Sequence, residues 1–295
     1  MIEAIYNAAF GVWNSLIEIA MTLFTTSPTA ANGSVYAMSH TLFDAIADIS
    51  IPVTVIFALI GIIRDVVTTP PDQQARRLVG DGLKLGIMVG IVTNLWLIMG
   101  YIIQITDGIT DKMSGSSSYQ MAMTPELESC ISAASVMPTE SVHVVSFTSD
   151  LPVFVSAWSN YLTNNIIFLV TSFATLLIVV ASAISILSSA FQRIVKPLAI
   201  LPFSTITVAM GTGTGEVSRV TAQYLKTFFG LCISGAFMVI CVKLGAALTG
   251  NIVAFNVSQL SLHEQVIYMS IQNAITPIVV AGLIKSADSL IARFF

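Results

Sequence analysis

The stretch LPFSTITVAMGTGTGEVSRV, residues 201–220, alternates glycine with threonine at Gly211, Gly213 and Gly215. Glycine-rich loops can cradle phosphates. A P-loop, however, ends in Gly-Lys-Ser/Thr so that the lysine reaches the phosphates. Here Gly215 is followed by Glu216, whose charge repels them. A dinucleotide fingerprint needs G-x-G-x-x-G between a strand and a helix, and the spacing here is G-x-G-x-G. No nucleotide site and no cofactor are expected. His263-Glu264 lacks the second histidine of a zinc protease helix, and no serine stands in a nucleophile elbow. His143 has no second ligand at a metal-binding spacing. Cys232 and Cys241 lie nine residues apart, on opposite faces of a helix, and read as small apolar filler. Cys130 stands alone in a polar segment, so no disulfide framework and no metal site are expected. The chain is read as not an enzyme.

The elements that carry these residues are set by composition. Of 295 residues 55% are hydrophobic and only 9% charged. A soluble domain carries about 25% charged residues, and surface-to-volume scaling would force much of this apolar surface outward. Lipid is therefore the expected solvent, and the net charge of −4 matters less than where charges fall. Five apolar runs approach or exceed the about 20 residues a span needs: 50–67, 83–106, 161–190, 227–249 and 266–284. Ten of the twelve Lys and Arg residues cluster where the first run gives way to the second (Arg64, Arg76, Arg77, Lys84), between the third and fourth (Arg193, Lys196, Arg219, Lys226) and after the fifth (Lys285, Arg293). Positive residues mark the cytoplasm, so the expected topology has the N-terminus outside and the C-terminus inside.

Residues 1–48 are read as an extracytoplasmic amphipathic helix and linker. Ile2, Ile5, Ala9, Val12, Leu16, Ile19 and Leu23 form its apolar stripe, largely opposite Glu3, Asn7, Asn14, Glu18 and Thr22. With no Lys or Arg, Met1–Phe24 does not read as a secretory signal peptide. A helix on the outer face or against a partner is expected, with a sixth span as the alternative. Residues 49–106 form a transmembrane hairpin with a basic cytoplasmic loop. Residues 107–160 form a loop-rich outer segment, in which Val142–Phe147 suggests short strands or docking on the bundle. Residues 161–295 complete the bundle, with a broken element at 197–215. The fold class is thus all-α and polytopic.

Pro197 and Pro202 each remove a donor, which frees the carbonyls of Arg193 and Leu198. From Pro197 to Gly211 is about 22 Å of helix, short of a core of about 30 Å. Basic flanks on both sides predict a re-entrant or interfacial element turning at the glycines, or one lining a pore. Gly82, Gly86 and Gly90 form a smooth stripe for helix packing within the chain or between subunits. Hydroxyls along the third run can bond to their own helix or to a neighbour. Lys243 is the one charge well inside an expected span, snorkelling outward or facing a wet interior. Gln272 and Asn273 should face the bundle interior, and Pro277 should kink the last span.

The stretch RIVKPLAILPFSTITVAMGTGTGEVSRVTAQYLKTFFGLCISGAFM, Arg193–Met238, resembles the TrbL-like conjugal transfer membrane proteins, the polytopic inner-membrane subunits of type IV secretion systems. The likeness is to versions on conjugative elements of Gram-positive bacteria. It extends over most of the chain through its layout. It implies a structural or channel subunit in the bacterial cytoplasmic membrane, in contact with lipid. It also implies a homo-oligomeric ring beside other secretion subunits, including cytoplasmic ATPases, and no catalytic residues. The chain has no basic, aromatic-interleaved surface for gripping nucleic acid, so no direct sequence-specific nucleic-acid binding is expected. A stand-alone secondary transporter or channel is the alternative, but only 197–215 is clearly broken, without a counterpart in the first half.

Overall fold

In the computed structural model the described residues are 2–29, 33–68, 70–115, 120–137, 147–213, 216–251 and 260–294. Among them the fold is all-α with no strand. The helices are α1 (Ile2–Thr25), α2 (Gly33–Thr68), α3 (Pro71–Thr93), α4 (Leu95–Ser114), α5 (Pro125–Ser135), α6 (Phe147–Ile200), α7 (Ser204–Ala209), α8 (Glu216–Asn251) and α9 (Leu262–Phe294). Single 3₁₀ turns, Leu201–Phe203 and Met210–Thr212, flank α7.

Among the described residues five stretches are long and apolar enough to cross a membrane, and α1 is one of them. The runs at 50–67, 161–190, 227–249 and 266–284 fall within α2, α6, α8 and α9. The run at 83–106 does not form one straight helix: α3 and α4 meet at Asn94 with a bend of 64°. The Asn94 amide nitrogen donates to the carbonyl of Gly90, 2.9 Å away, a local bond that competes with helix continuation. An asparagine inside an apolar run was the available signal. Helix α2 begins at Gly33, so much of the expected linker is helix continuous with the first span.

The chain divides into two compact units. The first comprises Met1–Ala20, Ser116–Ser188 and Ile240–Ile284. Here α1 buries Tyr6, Ala9, Phe10, Trp13, Ile17 and Ala20, while Val12 and Ile19 remain 42% and 48% exposed. The expected stripe shares only Ala9 with the observed one. The periodicity argument assumes that the outer face meets water. Against lipid, aliphatic side chains are stable outside, and the aromatic stripe turns inward because Tyr6 finds a partner there: its hydroxyl meets Ser270 Oγ on α9 at 2.5 Å.

The segment after α4 docks on α1 in the same unit. The Asn14 side chain donates to the carbonyl of Met121 (2.9 Å) and accepts from its N–H (2.8 Å). Helix α5 follows with Thr124 as N-cap, Pro125 in its first turn and two early acids, Glu126 and Glu128. The described residues of 107–160 are therefore more helical than expected. Residues 142–146, His143 included, lie outside the described residues, and Phe147 opens α6. Helix α9 starts with a capping box, because Glu264 accepts from both the N–H and the hydroxyl of Ser261. Glu264 beside His263 thus has a structural task.

The second unit comprises Met21–Gly115, Ser189–Val239 and Lys285–Phe295. Its apolar core joins Phe43 of α2, Val92 of α3, Met99 and Ile103 of α4, Leu201 and Val208 of the broken segment, and Phe228 of α8. Trp96 closes one side against Phe43 and Tyr36, with ring centroids 5.0 and 5.1 Å away.

Candidate functional site

The second unit contains the helix break. Helix α6 passes Pro197 and ends at Ile200, so the interruption begins at Pro202 and not at both prolines. One missing donor at Pro197 is tolerable in a packed bundle. From Leu201 the backbone runs through a 3₁₀ turn, one short helix and a second 3₁₀ turn, then becomes extended at Gly213. This segment packs on α2 and α3.

Irregular backbone leaves carbonyls without helical donors, and in an apolar setting each must be met. Neighbouring helices supply side chains for them. Ser39 of α2 donates to the carbonyl of Leu198 at 2.7 Å, the acceptor that Pro202 frees. The Tyr224 hydroxyl of α8 donates to the Ile200 carbonyl (3.1 Å) and Thr221 to that of Thr207 (2.6 Å). Lys84 of α3 reaches the Thr212 carbonyl at 3.4 Å. Thr212 itself donates to the carbonyls of Ala209 (2.8 Å) and Thr54 (3.3 Å). A cleft of about 30 Å³, room for one or two waters, opens beside it, lined by Gly61, Asp65, Asp81, Lys84 and Thr212. None of Ser39, Thr221 or Tyr224 was singled out by the sequence, since a lone hydroxyl on an apolar helix carries no signal of its partner.

The loop glycines divide. Gly211 sits in close contact: an added Cβ would lie 2.6 Å from Met88 Cε and 2.9 Å from Thr221 Oγ1. Gly213 has φ −67° and ψ 171°, which any residue adopts, so the expected glycine-only turn is not its role. Gly215 and the Glu216 side chain lie outside the described residues. Gly82, Gly86 and Gly90 face open space, so the stripe makes no close contact among the described residues. The glycine that admits a close helix approach in the first unit is Gly245 of α8, where an added Cβ would strike Val280 of α9.

A buried ion pair completes the second unit. Arg193 of α6 is 2% exposed, and its Nη2 lies 3.2 Å from Asp107 Oδ1 of α4. Its Nη1 donates to the carbonyls of Leu23 (3.2 Å) and Phe24 in the last turn of α1. Gly235 of α8 leaves the space the guanidinium fills, because a Cβ there would overlap Nε and Cζ. Arg193 was expected on the cytoplasmic flank and Asp107 at the start of an outer loop. Their contact puts both at one level, so the two do not lie on opposite faces of the membrane as expected. Position in the sequence does not reveal a carboxylate brought in by a distant helix. Lys243 is therefore not the one charge deep in an apolar helix, since Arg193 is buried in α6.

Lys243 itself is half-buried on α8 and makes no ion pair among the described residues. On α9, Asn273 is buried and donates to the Met269 carbonyl at 3.0 Å, Gln272 is half-buried, and the helix continues through a buried Pro277. Along α6, the hydroxyls of Thr171, Ser172 and Thr175 bond back to their own helix. Cys130, Cys232 and Cys241 are free thiols. Cys130 of α5 is buried and its Sγ meets Gln265 Oε1 at 3.4 Å. Burial pushes this thiol above its ordinary range, partly offset by the Ser129 hydroxyl. Among the described residues no group of three or more His, Cys, Asp or Glu could hold a metal ion. No family model, no characterised protein and no solved structure matches the chain.

Proposed function

We propose that this chain is a membrane-embedded, non-enzymatic structural or channel-forming subunit of a conjugative type IV secretion system in a bacterial cytoplasmic membrane. It would support translocation of DNA and protein, or pilus assembly, as a homo-oligomeric ring beside other secretion subunits and cytoplasmic ATPases. The supporting observation is the broken segment inside Arg193–Met238, the stretch that resembles the TrbL-like proteins. Its carbonyls at Leu198, Ile200, Thr207 and Thr212 are met by side chains of α2, α3 and α8. That arrangement suits a rigid scaffold in lipid. The basic α2–α3 connection, with Arg64, Arg76 and Arg77, would face the cytoplasm.

A stand-alone secondary transporter or channel is the second reading. It is favoured by the buried Arg193–Asp107 pair, since ionisable residues in apolar bundles mark transport pathways. In-frame deletion of the gene from its element, with complementation, separates the two. Loss of transfer to recipient cells, restored by the intact chain, and co-purification with the transfer ATPase are expected. Unchanged transfer with a lost solute flux would establish the transporter instead.

A further inference from the structure

The C-terminal turn of α1 ends on acceptors that no intrahelical donor can reach. Thr26 satisfies the Thr22 carbonyl through both its N–H (2.8 Å) and its hydroxyl (2.6 Å). The next two, Leu23 and Phe24, are met by the Arg193 guanidinium. A cation at a helix C-terminus also faces the negative end of the helix dipole. The same guanidinium is held from the other side by Asp107 and seated over Gly235. One side chain thus connects four helices of the second unit.

We propose that Arg193 is a latch that fastens the last turn of α1 to α4 and α8 and can be opened without unpacking them. Two observations carry this beyond a core contact. The apolar cluster that joins α2, α3, α4, the broken segment and α8 is built without any α1 residue, so those elements hold together independently of the latch. Within the latch, Arg193 Nε is buried with no hydrogen-bond partner. A buried pair with an unsatisfied atom is a poor stabiliser, and its best-attested use is to specify or switch an arrangement. Gly235 is the position that permits it. Opening the Arg193–Asp107 contact frees the guanidinium and uncovers the Leu23 and Phe24 carbonyls. The inference does not depend on the secretion-system reading.

Amide hydrogen exchange of the full chain in lipid nanodiscs tests it. With Asp107→Asn or Arg193→Met, exchange across residues 21–26 should rise by about tenfold or more, as loss of charge-assisted bonds implies. Exchange across 99–106 and 228–236 should change less than about twofold. Gly235→Ala should reproduce the effect in the wild-type background and add nothing in the Arg193→Met background. Arg193→Lys, which keeps the charge but loses the fork, should give an intermediate rise and decides the matter should the Met variant fail to fold. Unchanged exchange at 21–26 overturns the latch. An equal rise in α1, α4 and α8 overturns it too, because the pair would then be an ordinary core contact.

Discussion

The Ser39 hydroxyl on α2 donates to the carbonyl of Leu198, 2.7 Å away, and that carbonyl is the one Pro202 deprives of its helical donor. A helix break and the group that compensates for it therefore come from residues 159 positions apart. Ser39→Ala should lower stability by about 1–3 kcal/mol, the cost of leaving a buried acceptor unmet. In a Pro202→Ala background the N–H returns, and the same substitution should cost markedly less. Thermal unfolding of the four variants in one detergent checks this. An equal loss in both backgrounds would mean that Ser39 does not serve this carbonyl.

Gly211 and Gly213 should respond differently to alanine. Gly211→Ala drives a methyl group against Thr221 Oγ1, which is held on the Thr207 carbonyl, and against Met88. Overpacking of this kind costs about 1–3 kcal/mol. Gly213 is extended, so alanine there meets no backbone strain. A larger drop in melting temperature for Gly213→Ala than for Gly211→Ala would contradict the observed turn. Neither variant nor the parent should bind ATP saturably in calorimetry.

Gly86→Leu should leave the fold of the single chain intact, since nothing within 4 Å meets a side chain at that position. Under the ring proposal, the open stripe of Gly82, Gly86 and Gly90 faces another subunit, and leucine should weaken the oligomer. Native mass spectrometry from nanodiscs should show fewer assembled rings, with helical content by circular dichroism unchanged. An unaltered oligomer would remove the stripe from the subunit contact.

Sidedness can be read from cysteine labelling of intact cells in a background lacking Cys130, Cys232 and Cys241. Arg76→Cys, near the start of α3, should resist an impermeant maleimide until the membrane is opened. Ser129→Cys, exposed on α5, should label from outside. Labelling of the first and protection of the second would invert the proposed orientation.

Cys130 should alkylate slowly. Burial raises its pKa, so at about pH 8.5, where a free thiol is half ionised, less thiolate is present and the group is shielded. By linkage, the neutral thiol favours the folded state below the ordinary thiol pKa, and that contribution fades as pH rises through the raised value. Maleimide rates on folded and SDS-unfolded protein should differ across this range. Equal rates would place Cys130 in open solvent.

The sequence by itself determined that the chain is all-helical and built for lipid, because apolar runs and sparse charge are properties of composition and local order. It also marked where helices fail, at Pro202 and in the Gly211 region, since a missing N–H acts on the backbone alone. It could not determine which face of α1 turns inward. Both stripes are apolar, and the partner that Tyr6 meets, Ser270 on α9, lies 264 residues away. It could not pair Arg193 with Asp107, a carboxylate 86 residues away on α4. It gave weight to the glycines at 82, 86 and 90, while the close approach occurs at Gly245 against Val280. The common reason is that burial and pairing depend on what another helix presents at the same level, and that alignment exists only once the helices have packed.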